Sequence, residues 1–286
     1  MEAIEKFEVT EEFIKTRPLS YSSLKQFRKS PQHYVKYITE PRVVTDAMIE
    51  GSLLDCVITE PEEFKQRYFI FPKVDGRTKE GKEIKAKALE EAKGRILITD
   101  EMYKSAMFAK QALFDDNEAR QIMEAGTKMQ KKLFWTDNKT GLPVNGRTDM
   151  EAKLWGELFC VDLKKTADAD PNTWVRKDFI NQDLILQAGT YREGYKRIRF
   201  QFPHFIFLCV EMTAPYGVSV NYMSGNSLKI AEEEFHGTMA AFRKCLDEGR
   251  FNESYRFRKG ETMPYFTIEV PAYYKRVFMG FSDDDK

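Results

Sequence analysis

Two aspartates and a lysine near the middle of the chain carry the groups needed to hydrolyse a phosphodiester bond. Asp149 lies in the run 146–150, and Asp162 and Lys164 lie in the run 160–166. Such hydrolysis uses Mg²⁺ to neutralise phosphate charge and to lower the pKa of an attacking water. Mg²⁺ is bound by one or two carboxylates together with water and phosphate. Side chains at i and i+2 of a strand share a face, so Lys164 is expected beside the metal, where it would hold or help deprotonate the water.

The residues around these groups predict two neighbouring strands. Residues 158–163 are apolar and partly β-branched until charge begins, and residues 142–150 have the pattern of a preceding strand. Gly156 lies in the expected turn between them. An antiparallel pair would bring Asp149 close to Asp162.

A glutamine and a tyrosine further along the chain extend the pattern. Gln187 and Tyr191 are four residues apart, so on a helix they share one face and could present an amide and a phenol to DNA or to a metal-bound phosphate. A lone Asp-x-Lys pair carries little information, because surface strands often have one. An aspartate, then Asp-x-Lys, then Gln-x-x-x-Tyr on a helix is much more specific.

The composition restricts the class of protein. The chain has 286 residues, 42% hydrophobic and 13% aromatic, which is enough for a sizeable core. Its formal net charge is zero, so any DNA-binding surface must come from local segregation of charge. The four cysteines are Cys56, Cys160, Cys209 and Cys245. Because they are far apart in the sequence, a zinc ribbon or an iron–sulfur cluster is disfavoured. Free thiols fit a reducing cytoplasm. We find no signal peptide and no apolar run long enough to span a membrane.

These motifs resemble the PD-(D/E)xK nuclease superfamily, in particular the RecE-like (exodeoxyribonuclease VIII) phage exonucleases. The resemblance covers about residues 19–250 and extends beyond the central motifs. The further segments that resemble the family are 19–25, 30–34, 51–55, 59–64, 77–82 and 205–216. The resemblance implies an α/β fold of the restriction-endonuclease-like type, with a mixed central sheet flanked by helices and a helical elaboration at the N-terminus.

The resemblance also implies a set of metal ligands. Asp149 and Asp162 would hold Mg²⁺, or Mn²⁺, joined by the carbonyl of Val161 and by Asp55. The family usually has a histidine at the metal site where this chain has Asp55. Aspartate is an adequate hard ligand for either ion; the alternative is a solvated helix residue. Lys164 would position the water, and Gln187 and Tyr191 would orient the substrate strand.

The activity implied by the resemblance is digestion of one strand of linear duplex DNA, 5′ to 3′, to expose a 3′ single strand for phage-type recombination. The implied partners are double-stranded DNA ends, a single-strand annealing protein and further copies of the chain in a ring. The implied location is the cytoplasm of a bacterial host or phage-infected cell. Two alternatives stay open: a related DNA-repair endonuclease, and a DNA-end-binding protein with weakened catalysis.

We expect one nuclease domain over 1–286, with the N-terminal elaboration at 1–45, the catalytic core at 46–250 and a C-terminal extension at 251–286. Two basic segments allow two interpretations each. Residues 73–95 predict a solvated helix or a mobile flap near the DNA entrance, with Gly76 and Gly81 giving flexibility. The cluster at 192–199 would line a channel or a subunit contact.

Overall fold

The computed structural model of the chain describes residues 7–255, 257–258 and 261–262. The strands are β1 (Leu19–Ser20), β2 (Tyr68–Ile70), β3 (Ile96–Ile98), β4 (Gly126–Thr136), β5 (Pro143–Leu154), β6 (Glu157–Thr166), β7 (His204–Glu211), β8 (Val218–Tyr222), β9 (Phe257–Arg258) and β10 (Glu261–Thr262). The helices are α1 (Glu11–Thr16), α2 (Tyr21–Lys29), α3 (Pro31–Thr39), α4 (Asp46–Thr59), α5 (Phe64–Arg67), α6 (Lys79–Ala92), α7 (Asp100–Asp115), α8 (Asn117–Glu124), α9 (Pro171–Trp174), α10 (Leu184–Arg199) and α11 (Gly225–Asp247). A 3₁₀ turn covers Pro61–Glu63, and a π-helical turn covers Val175–Phe179.

The N-terminal helices begin where serine side chains satisfy free backbone donors. The Ser20 hydroxyl accepts from the backbone N–H of Ser23 at 3.3 Å, and the Ser23 hydroxyl accepts from the N–H of Ser20 at 2.8 Å. The Ser30 hydroxyl accepts from the backbone N–H of His33 at 3.3 Å, with Pro31 in the first position of α3. These caps confirm the helix starts that serine and proline predict.

A mixed six-stranded sheet forms the centre of the described part of the chain. β5 pairs with β4 along one edge, and β6 and β1 pair with its other edge. β6 is parallel to β7, which is antiparallel to β8. This mixed α/β architecture, with helices on both faces, confirms the expected fold class.

Each face of the sheet packs on its own hydrophobic cluster. One cluster joins α2, α3, α10 and α11 to the sheet, with Phe205 and Phe207 pointing into it from β7. The other joins α4, α7 and α8 to the sheet, with Ile206 and Leu208 pointing into it. Both faces of β7 are therefore buried, as expected of a strand with an uninterrupted apolar sequence.

The helical segment that follows β6 is interrupted. α9 ends at Trp174, a π-helical turn follows, and α10 starts only after Asp183, whose φ is 57°. An ion pair of 3.1 Å joins the Asp183 carboxylate to Arg28 of α2. This contact lies far away in the sequence, so local periodicity did not indicate the break.

The lysine-rich segment forms the regular helix α6. A Cβ on Gly81 would lie 1.9 Å from the backbone oxygen of Asp75, so Gly81 permits a close backbone approach. Gly51, in α4, has open space where a Cβ would stand, so no close packing requires glycine there. Among the described residues, no helix is both long and apolar enough to cross a membrane. Most of the predicted C-terminal extension lies outside the described residues.

Candidate active site

A gap in the sheet opens beside β5. On one edge of β5, the partners in β1 reach Asn145 and the partners in β6 begin at Met150. Residues 146–149 lie between these two ladders. The Asp149 carboxylate crosses the gap and accepts a hydrogen bond from the backbone N–H of Leu163 at 2.8 Å. The gap thus places Asp149 directly beside β6.

Asp162 and Lys164 lie on the same face of β6, as their spacing predicts. The Lys164 ammonium forms an ion pair with Oδ2 of Asp162. Nε2 of Gln187 donates to Oδ1 of Asp162 at 2.8 Å and lies 3.3 Å from the hydroxyl of Tyr191. Gln187 and Tyr191 are largely buried but both line the cleft, and Gln187 links Tyr191 to Asp162. Their expected role in orienting the substrate strand stays a prediction.

Asp55 reaches the same site from α4. It lines a cleft of about 630 Å³ together with Asp149, Asp162 and Lys164. The alternative of a solvated helix residue is therefore wrong for Asp55. The pairing of β5 with β6 and the packing of α4 on β6 bring the three carboxylates together.

Burial opposes the ionisation of all three carboxylates. It raises the pKa of Asp149 well above the ordinary value, and the charges of Asp162 and Asp55 act in the same direction. It also raises the pKa of Asp162, against the opposing effects of Lys164 and Gln187. Burial raises the pKa of Asp55 to about 7, although the Lys164 ammonium opposes this shift. With all three carboxylates ionised, the cleft would hold more negative charge than its buried lysine neutralises.

The Lys164 ammonium responds in the opposite sense. Burial lowers its pKa, but the charges of Asp162 and Asp149 outweigh burial, so the pKa of Lys164 is raised. Three ionised carboxylates and one ammonium sum to −2, a charge that one divalent cation would balance. The buried Oε1 of Gln187 also has no hydrogen-bond donor among the described residues.

The residues of the cleft fit a Mg²⁺ ion. Mg²⁺ needs only one or two carboxylates and keeps several waters. No group of three or more His, Cys, Asp and Glu within the described residues is close enough to surround an ion as it stands. The carboxylates do not converge on one point because the Leu163 N–H holds Asp149 and the Lys164 ammonium holds Asp162. A dedicated cage of protein ligands is not required for this ion.

The structure does not place Val161 at the cleft. Its side chain is fully buried in the cluster beneath α4, whereas the side chain of its neighbour Asp162 points to the other face of β6 and lines the cleft. Leu163, between Asp162 and Lys164, lines the cleft instead. Leu163 is therefore a further candidate for a backbone ligand, and the role of the Val161 carbonyl stays a prediction.

Two exposed cations, Lys132 and Arg147, lie at the rim of the cleft. Lys132 of β4 pairs in register with Arg147 of β5, both side chains are exposed, and both line the cleft. Neither makes an ion pair within the described chain. Tyr21 lines the opposite wall, where its hydroxyl donates to the backbone oxygen of Gln182 at 2.5 Å. Only the strand register brings Lys132 and Arg147 together, so no local signal in the sequence could have paired them.

The cluster at 192–199 is ion-paired within the chain. Arg192 pairs with Glu232 at 2.5 Å, and Arg199 pairs with Glu151 at 3.2 Å. Arg197 pairs at 2.5 Å with a glutamate one helical turn away on α10. These contacts stabilise the packing of α10, and the alternatives of a channel or a subunit contact stay predictions.

A comparison with protein families matches residues 20–254 to a family described as a PDDEXK-like domain of unknown function (DUF3799). The match covers far more than half of the chain. The chain belongs to this PDDEXK-like family. The membership confirms the superfamily that the motifs indicated; the RecE-like subdivision is a finer assignment that the family description does not carry.

Comparison with solved structures agrees with this fold. A crystal structure of a "putative exonuclease" from Eubacterium rectale superposes with a TM-score of 0.56 at 12% identity, covering 98% of this chain and 100% of that one. A crystal structure of the protein SSO0001 gives a TM-score of 0.28 at 9% identity, covering 75% of this chain and 84% of that one, and carries no argument. A comparison with curated proteins finds no match.

Proposed function

We propose that the chain is a metal-dependent deoxyribonuclease that hydrolyses phosphodiester bonds in the cleft between β5 and β6. The observation that carries the proposal is the meeting of Asp55, Asp149 and Asp162 around Lys164 in an open cleft. Membership of a PDDEXK-like family supports the same chemistry. The rim cations Lys132 and Arg147 suit a polyanionic substrate.

The residues divide the chemistry between them. Asp149 and Asp162 would hold a Mg²⁺ ion, with Asp55 contributing from α4. The bound ion would neutralise phosphate charge and lower the pKa of the attacking water. Gln187 keeps the Asp162 carboxylate in position through its 2.8 Å hydrogen bond, and Nζ of Lys164 lies beside the same carboxylate, where it would hold the water.

The protonation of Lys164 depends on its neighbours. Its pKa is raised only because the charges of Asp162 and Asp149 outweigh burial. When positive charge neutralises those carboxylates, burial is left to lower the pKa of Lys164. Lys164 is thus an ammonium donor beside Asp162, and next to a bound cation it would be able to accept a proton from water.

We further propose that the enzyme is an exonuclease that digests one strand of linear duplex DNA, 5′ to 3′, and leaves a 3′ single strand for recombination. The resemblance of the motifs to RecE-like phage exonucleases supports this, as does the description of the structural neighbour as an exonuclease. The same resemblance supports a ring of identical chains and a partner that anneals single strands.

The test is digestion of linear duplex DNA labelled at either the 5′ or the 3′ ends, with Mg²⁺, with Mn²⁺ or with EDTA. Asp162→Ala and Lys164→Ala are compared with Lys165→Ala. Lys165 is the matched control, because it adjoins Lys164 but pairs with Glu50. We expect metal-dependent loss of the 5′ label by the parent and by Lys165→Ala only.

Closed circular DNA separates the remaining activities. An exonuclease leaves it intact, whereas cutting of the circle would establish the endonuclease and overturn the exonuclease proposal. If the parent binds the ends of linear DNA but cuts them neither in Mg²⁺ nor in Mn²⁺, the chain is an end-binding protein and the proposal that it is a nuclease is wrong.

A further inference from the structure

A groove of about 520 Å³ lies next to the active-site cleft, beside the outer edge of β4. Phe134 lines both cavities, so the groove and the cleft adjoin each other at this side chain. Phe200 and Phe202, which follow α10, line the groove from the other side. The packing described above gives no reason for these aromatic rings to be exposed.

Phe200 is the most unusual residue of the groove. Its side chain is 87% exposed, and its φ of 56° is in the left-handed region that glycine normally occupies at the end of a helix. No other aromatic ring of the described chain packs against it. Trp155 is also exposed with a φ of 51°, but it forms a two-residue hairpin turn with Gly156 and packs against Phe159 and Tyr222. The conformation and exposure of Phe200 have no such local explanation.

The charges around the groove match a polyanion. Its lining includes Lys196 and Arg197 and no carboxylate, although both cations also approach the buried Glu193. The Lys196 ammonium lies 5.3 Å from the centre of the Phe202 ring. Lys132 precedes Phe134 by two residues on β4, and both are exposed, so a cation and an aromatic ring alternate along this face. Cations interleaved with aromatic rings are typical of surfaces that bind single-stranded nucleic acid.

The outer edge of β4 is poorly suited to a second copy of the chain. Lysines on an edge strand and local irregularity both oppose edge-to-edge pairing. β4 carries exposed Lys128 and Lys132, Gln130 between them has a φ of 47°, and the register shifts between Gly126 and Lys128. The positive charges of the same lysines favour binding of the phosphate backbone of a nucleic acid.

We propose that this groove binds the single-stranded DNA segment that adjoins the scissile phosphate, with bases stacked on Phe134 and Phe200. The inference rests on the proposed nuclease function and extends it to a route for one strand. The groove would hold bases through their faces, so binding would tolerate any sequence.

The test is fluorescence anisotropy of the full chain with labelled oligothymidine of about 12 nucleotides, a length within known single-strand site sizes. EDTA keeps the strand intact. We expect Phe134→Ala and Phe200→Ala to raise the Kd by about 5-fold to 100-fold, the range for losing one base–aromatic stack. Trp155→Ala is the matched control and should bind as the parent does. Phe200→Trp should retain affinity, and Phe200→Leu should lose it as Phe200→Ala does.

A second oligonucleotide, which lacks some of its bases, tests whether binding depends on contacts with the bases. An oligonucleotide of the same length with abasic positions should bind the parent more weakly, and Phe200→Ala should then cause little further loss. Equal loss of affinity on both oligonucleotides would show that Phe200 acts on the backbone or the fold, and would overturn the stacking proposal.

Digestion of linear duplex in Mg²⁺ and in Mn²⁺ by the same preparations separates the two proposals. If the parent cuts DNA while both phenylalanine variants bind and cut as Trp155→Ala does, the groove proposal fails and the nuclease stands. If the parent neither binds nor cuts DNA in either metal, the nuclease proposal fails, and the groove proposal that rests on it fails as well. If the variants change the sedimentation of the protein but leave DNA affinity unchanged, the groove is a contact between copies and our proposal is wrong.

Discussion

Strand β5 carries two carboxylates, two residues apart, that lie in opposite electrostatic surroundings. Glu151 accepts hydrogen bonds from the Tyr195 hydroxyl at 3.0 Å and from Arg199 at 3.2 Å, and it pairs with Lys131. Burial raises the pKa of Glu151, but these hydrogen bonds and charges outweigh burial and the pKa is lowered. Asp149 accepts one backbone hydrogen bond, and its pKa is raised well above the ordinary value.

The difference separates a structural charge from a functional one. The chain itself supplies the countercharge of Glu151 and leaves the countercharge of Asp149 incomplete. Keeping a buried carboxylate without its cation is unfavourable, since burial disfavours the ionised form. The difference agrees with the proposed metal ion, which would supply the positive charge that Asp149 lacks within the chain.

The largest expected effect follows from removing the charge of Asp149. We expect Asp149→Asn to lower the rate of DNA cleavage by about 10²–10³-fold, the usual loss when one electrostatic group of an active site is removed. The melting temperature in EDTA should stay the same or rise, because a charge that burial disfavours is gone. Initial rates on linear duplex and a melting curve measure both. A variant that cleaves normally would show that Asp149 has no role in the chemistry.

The next effect should come from Glu151. We expect Glu151→Gln to lower the free energy of unfolding by about 2–4 kcal/mol, because Lys131 and Arg199 lose their partner in a partly exposed pair. Urea unfolding measures this change, with Glu50→Gln as the control for a more exposed ion pair. Cleavage per folded molecule should change far less than in Asp149→Asn. Equal unfolding curves for Glu151→Gln and the parent would contradict the comparison.

The pH dependence in EDTA should distinguish the two regions further. Because the pKa of Asp55 is raised to about 7, the folded chain binds a proton more tightly than the unfolded chain between about pH 4 and 7. Stability contributed by Asp55 is therefore present at low pH and is lost as pH rises through 7. Asp55→Asn should remove this component from melting curves recorded at pH 5, 6, 7 and 8.

A divalent cation should reverse that loss. At 100 times its Kd, Mg²⁺ or Mn²⁺ should stabilise the fold by about 2.7 kcal/mol through binding alone. The shift in melting temperature should be larger at pH 8 than at pH 5, because protons compete for the same carboxylates. An equal shift in Asp149→Asn and the parent would place the ion elsewhere.

The smallest effect concerns Phe200. Phe200→Gly should stabilise the fold by about 0.5–1 kcal/mol, since glycine adopts the left-handed conformation without strain. Lys93→Gly, at the left-handed end of α6, is the matched control and should give a similar gain. Only Phe200→Gly should also weaken binding of single-stranded DNA. A gain in stability without loss of binding would argue against a functional reason for Phe200.

Local patterns predicted the strands and the turn that carry the site. Residues 142–150 and 158–163 form β5 and β6, and their hairpin turns at Trp155 and Gly156, both with positive φ. Strand periodicity and turn residues act over a few positions, so sequence alone can reveal them. The PDDEXK-like family membership confirms the fold class that the motifs indicated.

Contacts between distant parts of the chain determine three features that local sequence patterns do not show. The ion pair of Arg28 with Asp183 accompanies the break before α10, and a hydrogen bond joins Gln187 to Asp162, which is 25 residues earlier in the chain. The pairing of Lys132 with Arg147 depends on register. Each of these outcomes depends on residues that are distant in the chain.

The sequence by itself determined which chemical groups are present and that Asp162 and Lys164 share one face of a strand, because side-chain alternation is local. Only the tertiary structure decided that Asp55 joins them, that Glu151 is neutralised and that Asp149 is not. Burial and countercharge set the ionisation of a carboxylate, and both depend on which distant elements pack around it.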